Sequence, residues 1–197
     1  MKIITTLSDR IAKAERSILR LIAFALPLMV LANVAGRAIR NPIYWMDELS
    51  ILLMVWLAMI GMSLTLKTRD AVAVTMLVDA VPPLLAKAMK ILVDLLVLQF
   101  GITLLVLCYR WFDPVTLMRL GFDTREFSGE TFNFMYQDTT ATLGVAKFWF
   151  WLVVPLVAVT ISVHALSNLL RTVATPVTAG IPSGLPATPT VDGGAKR

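Results

Sequence analysis

Charge is scarce in this sequence. Only 16% of its 197 residues are Asp, Glu, Lys or Arg, where a soluble domain carries about 25%, so the chain cannot cover a water-facing surface of its own size. Cysteine and histidine occur once each, as Cys108 and His164. One cysteine excludes an intrachain disulfide framework and a cysteine metal cluster, and one histidine excludes a multi-histidine metal site. There is no glycine-rich phosphate loop, no metal-spaced His/Cys/carboxylate cluster and no G-x-S-x-G elbow. No cofactor, no metal and no enzymatic activity are therefore expected. A membrane-embedded hydrolase would need a nucleophile and a base inside its apolar segments. His164 has no evident partner and reads as a satisfied interfacial side chain, Cys108 as a packed small residue. A secretory signal peptide is not expected either: an amphipathic stretch precedes the first apolar run, which lacks a small-residue cleavage site.

What fills the chain is apolar. Hydrophobic residues make up 57% of it and the mean hydropathy is +0.77, an excess gathered into four blocks at about 18–36, 49–66, 84–108 and 147–169. A helix crosses a hydrocarbon core of about 30 Å with roughly 20 residues, so each block is a candidate span. The expected fold class is an all-α integral membrane protein, with a four-helix transmembrane domain over 18–170, an amphipathic interfacial helix over 1–17 and a disordered tail over 171–197. In the first stretch Ile4, Leu7, Ile11, Ala14 and Ile18 share one helical face, and Lys2, Asp9, Lys13, Arg16 and Arg20 the other, which suits a helix on the membrane surface and leaves open a solvated helical extension of span one. Pro27 interrupts span one, and Asp47 and Glu48 open span two, Asp47 as an N-cap and both complementing the helix dipole. The stretch 67–83 is too short and polar to span and reads as interfacial; 109–146 is the longest polar connection. If both termini face the cytoplasm, the inside segments carry twelve basic residues and the outside loops six, which favours an N-in, C-in orientation. The net charge of +5 lies beside apolar blocks, pointing to membrane lipid as a partner rather than nucleic acid.

Two features within the spans stand out. Asp94 is the one acid well inside an apolar run, with Lys90 one turn earlier on the same face. A structural pairing and a place on an ion path are both open to it. Ala58, Gly61 and Thr65 form a small-residue stripe that marks a packing seam, inside this chain or against another.

The segment Arg37 to Leu49, R-A-I-R-N-P-I-Y-W-M-D-E-L, resembles the signature of the small membrane (DctQ) subunit of tripartite ATP-independent periplasmic (TRAP) transporters. Arg37, Asn41, Trp45, Asp47 and Glu48 occupy that family's places, and Trp56 and Gly61 match its Trp and Gly in span two. The stretch at 78–83, Thr142-Leu143-Gly144 and Pro155 are similar as well, so the resemblance covers about 18–170. It implies a multi-pass subunit of the bacterial inner membrane working with a large multi-span subunit and a periplasmic solute-binding protein. Uptake would be driven by an ion gradient, the solute typically being a carboxylate. The small subunit would scaffold the large one and bind no substrate itself. The candidate partner-interface residues are Arg37, Asn41, Trp45, Asp47, Glu48, Trp56, Gly61 and Asp94. The alternative from another class is a self-sufficient small oligomeric transporter or channel.

Overall fold

In the computed structural model residues 2–68 and 81–176 are described. The long apolar blocks form helices because straight-chain and branched apolar residues leave the backbone no partner in hydrocarbon but itself. Helix α1 runs Lys2–Ala38, α2 Tyr44–Thr68 and α3 Pro83–Phe112. Two short helices follow, α4 (Pro114–Arg119) and α5 (Thr124–Thr131), then α6 (Phe148–Trp151) and α7 (Val153–Ala174). Among the described residues four stretches are long and apolar enough to cross a membrane: Lys2–Ala38, Tyr44–Thr68, Pro83–Arg119 and Phe148–Ala174. Among the described residues there is no strand, only an isolated bridge between Thr139 and Ala146. The expected interfacial stretch 67–83 lies mostly outside the described residues, and so does the tail beyond Pro176.

Helix α7 is the hub. It packs most extensively on α3, then on α2 and on α1, while α1 lies along α2. The core is a cluster of Ile60 from α2 with Val153, Val157 and Ile161 from α7, walled by Leu19, Trp56, Met59 and Val97. One end of the bundle carries the start of α1 and the end of α7; the other carries the 109–147 connection. Between α6 and α7 the helix breaks at Leu152, where Pro155 has no N–H to offer the carbonyl of Trp151.

Of the two readings open for the N-terminal stretch, the extension of span one fits the structure: residues 2–17 are the first part of α1, which continues through Pro27 to Ala38. At 1.5 Å per residue this helix is about 55 Å long, well beyond one hydrocarbon thickness. Its buried face is not the apolar stripe read from the sequence. Ser8, Ala12, Glu15, Ile22, Leu26, Asn33 and Gly36 face the bundle, while Ile3, Leu7 and Ile18 are exposed. In hydrocarbon the apolar face has no reason to turn inward, whereas polar side chains find partners only on neighbouring helices.

Candidate functional site

At the loop end, α1 stops in a tight reversal. The Arg40 N–H donates to Arg37 O at 3.1 Å and the Asn41 N–H to Gly36 O at 2.9 Å, with Arg40 left-handed at φ 60°. This is a Schellman stop with arginine where glycine is usual. Gly36 is required there, because a Cβ on it would lie 2.8 Å from the Asn41 carbonyl oxygen. The reversal returns the chain into α2 so that Asp47 faces α1. Arg37 Nη2 donates to one carboxylate oxygen of Asp47 and Asn33 Nδ2 to the other. Asp47 therefore lies in the first turn of α2 as a cross-helix acceptor, not as its N-cap.

Glu48 faces elsewhere. Its carboxylate accepts the backbone N–H groups of Ala141 (2.8 Å), Thr142 (2.7 Å) and Leu143 (3.3 Å) and the Thr142 hydroxyl at 2.6 Å. Successive N–H groups converging on one anion form a compact nest. Here the anion is a side chain 93 residues distant in sequence, counted to Ala141. Arg37 and the two acids thus share one end, as their spacing requires, but the guanidinium holds Asp47 alone. Asn41, Tyr44, Trp45 and Thr142 line a shallow open depression beside this clamp.

At the opposite end a second network appears that sequence reasoning missed. His164, fully buried, has Nδ1 2.8 Å from Ser8 Oγ and Nε2 3.1 Å from Glu15 Oε2. Ser63 Oγ donates to Glu15 Oε1 at 2.7 Å and lies 2.8 Å from Thr160 Oγ1. Lys67 Nζ donates to Ser8 Oγ at 2.6 Å and pairs with Asp9 at 3.0 Å, and Asp9 also pairs with Arg171 at 3.0 Å. An ammonium can only donate, so Ser8 accepts from Lys67 and can pass its own proton to Nδ1, leaving Nε2–H for Glu15. The chain Arg171–Asp9–Lys67–Ser8–His164–Glu15–Ser63–Thr160 laces α1, α2 and α7 together. The only signal available was the polar seam of α1, Ser8 and Glu15 two turns apart and Asn33 five turns further on.

The other expected residues separate. Trp56 Nε1 donates to Phe150 O at 2.9 Å, joining α2 to α6. Asp94 is buried between α3 and α7, accepting from Thr172 Oγ1 at 3.2 Å, and Lys87 Nζ reaches Thr175 O at 2.8 Å nearby. Gly61 is not a close approach: a Cβ there would meet only Leu19 Cδ2, at 4.0 Å. The tight glycine is Gly101 of α3, whose Cβ would lie 2.5 Å from Ser162 Oγ and 3.3 Å from Ser162 N.

The 109–147 connection has a core of its own. Phe127 is fully buried, edge-on to Tyr136 at 5.2 Å, which lies against Phe148 at 5.5 Å. Asp123 caps α5, and the N–H groups of Glu126 and Arg125 hold its carboxyl below the usual carboxylate range. Among the described residues no three His, Cys, Asp or Glu side chains gather as metal ligands. The chain matches one family model, described as the DctQ component of tripartite ATP-independent periplasmic transporters, over residues 26–175. No curated protein matches it.

Proposed function

From the premise that this chain belongs to the DctQ component family of TRAP transporters, and so is a small membrane subunit of such a transporter, we propose that it is a rigid scaffold for the large multi-span subunit. In this reading the complex sits in the bacterial inner membrane with both termini of this subunit inside. It takes up a small carboxylate solute, delivered by a periplasmic solute-binding protein and driven by an ion gradient. The small subunit binds neither solute nor coupling ion.

The observation that carries this reading is where the polar groups within the helices are used. Glu15, His164 and Asp94, each buried, bond to side chains of other helices of the same chain. A buried charge is costly unless paired, so such groups serve best as locks between helices. A scaffold beside a moving partner needs helices that do not shift against one another. The two end networks give it that: Arg37–Asp47 joins α1 to α2, Glu48 joins α2 to the lead-in of α6, and Asp9, Lys67 and Arg171 join the far ends.

The test is co-purification. Glu48→Ala removes the anion from three backbone N–H groups and a hydroxyl, freeing 141–143 from α2. Arg37→Ala breaks a half-exposed pair, with side chains 60% and 48% accessible, worth about 1 kcal/mol or less. Glu48→Ala is expected to abolish uptake by loosening the complex, Arg37→Ala to weaken it, and the solute affinity of the binding protein to stay unchanged. Normal co-purification and normal uptake by both variants would remove this clamp from the partner-binding surface.

A further inference from the structure

The 109–147 connection buries some aromatic rings and leaves others outside. Phe127 is wholly inside, yet Phe122, Phe132 and Phe134 are 67%, 82% and 54% exposed. Two of these are held in a backbone conformation that phenylalanine avoids. Phe122 has φ 65° and Phe132 φ 54°, the left-handed region normally left to Gly or Asn at helix ends. Phe122 follows α4, donating to Leu117 O at 3.0 Å, and Phe132 ends α5, donating to Ser128 O at 3.0 Å. Arg119 and Glu130 pair at 2.7 Å, so the two helix ends from which these rings emerge are tied together. An exposed ring in an unfavourable backbone state is doubly costly in water, since glycine there would relieve both terms.

Position says what covers these rings. Asn133, between Phe132 and Phe134, donates through Nδ2 to Trp111 O at 2.7 Å, and the Tyr136 hydroxyl donates to Phe112 O at 2.6 Å. The segment is thus pinned to the last turn of α3. Trp111 lies edge-on to Trp151 at 5.6 Å, so the ends of two membrane-crossing stretches meet there in partly exposed indoles. Indoles at span ends mark the headgroup level. Four of the segment's charged side chains are satisfied internally: Asp113 caps α4, Asp123 caps α5, and Arg119 holds Glu130. That lowers the cost of leaving water. We propose that the 109–147 connection is an interfacial plate, and that Phe122 and Phe132 insert as wedges into the headgroup–acyl boundary of the bilayer crossed by α3 and α7. Two such wedges would fix the depth and tilt of this end of the bundle.

Spin labelling tests this in the full chain with Cys108→Ser. A label is placed at Phe122→Cys, at Phe132→Cys, or at Gly129→Cys, the last on an open face of α5. The protein is reconstituted in vesicles of phosphatidylethanolamine and phosphatidylglycerol, alone and together with the large subunit. Collisions with a water-soluble nickel chelate should be several-fold fewer at 122 and 132 than at 129, and collisions with oxygen more frequent, in the small subunit alone. Hydroxyl-radical footprinting of the unsubstituted chain should show Phe122 and Phe132 shielded in vesicles and oxidised in amphipol. Nickel access at 122 and 132 equal to that at 129, with both rings oxidised in vesicles, would overturn the proposal. Shielding that appears only when the large subunit or the binding protein is added would overturn it too, assigning the rings to a protein partner.

Discussion

Two glycines separate helix packing from helix composition. Gly61 sits in the small-residue stripe that the sequence offers as a seam, but its surroundings admit a methyl group. Gly101 stands alone among apolar neighbours and yet touches the backbone of α7 at Ser162. Gly101→Ala must displace Ser162 Oγ from its 2.8 Å bond to Ala158 O and push α3 off α7, a cost of about 1–3 kcal/mol. Gly61→Ala should be neutral or add up to about 1 kcal/mol, because alanine gives up less backbone entropy in a helix. Thermal unfolding of the purified subunit would read both. The Gly101→Ala loss should shrink in a Ser162→Ala background, where the offending oxygen is gone; an undiminished loss would place the clash on the backbone instead.

A few polar bonds between helices hold the elements of this protein together beside their apolar contacts. Helix α1 shows this best: its exposed face is rich in Ile, Leu, Phe and Val, and its inward seam holds Ser8, Glu15 and Asn33. Removing His164 takes from the buried Glu15 carboxylate its partner at Oε2, leaving it Ser63 at Oε1, and leaves Ser8 only Lys67. His164→Ala should therefore destabilise the subunit by about 3 kcal/mol, the range for breaking a buried pair, and release the first four turns of α1. A distance measurement between labels on α1 near Lys13 and on the end of α7 should broaden in that variant. The double variant Glu15→Leu/His164→Leu, with no charge left to strand, should recover much of the loss. If His164→Ala leaves both distance and unfolding temperature unchanged, the network is ornamental to the fold.

At the scale of the whole molecule, the two polar networks lie at opposite ends of one bundle, with the apolar cluster of Ile60, Val153, Val157 and Ile161 between them. The twelve-to-six distribution of basic residues predicts that the end bearing the termini is cytoplasmic. A reporter fused after Pro176 should read cytoplasm, and one inserted at the exposed Gly129 should read periplasm. A periplasmic C-terminus would reverse the orientation, and with it the side of the membrane on which Glu48 and the 109–147 connection lie.

The sequence by itself determined the number of stretches able to cross a membrane, because their composition answers to the thickness of hydrocarbon and to nothing else in the chain. It also placed Arg37, Asp47 and Glu48 at one end, since a reversal of a few residues cannot carry them apart. Which helix lies beside which was not legible there. Hydrocarbon and helix are equally apolar neighbours, so an apolar face of α1 or α3 carries no address. Only the tertiary structure divided the two acids between Arg37 and the 141–143 nest, turned Glu15 toward His164 across 149 residues of sequence, and put the tight glycine contact within this chain at Gly101. Each of these depends on polar or steric contact between helices remote along the chain, and a local pattern records only that a polar or small residue is present, not which partner it meets.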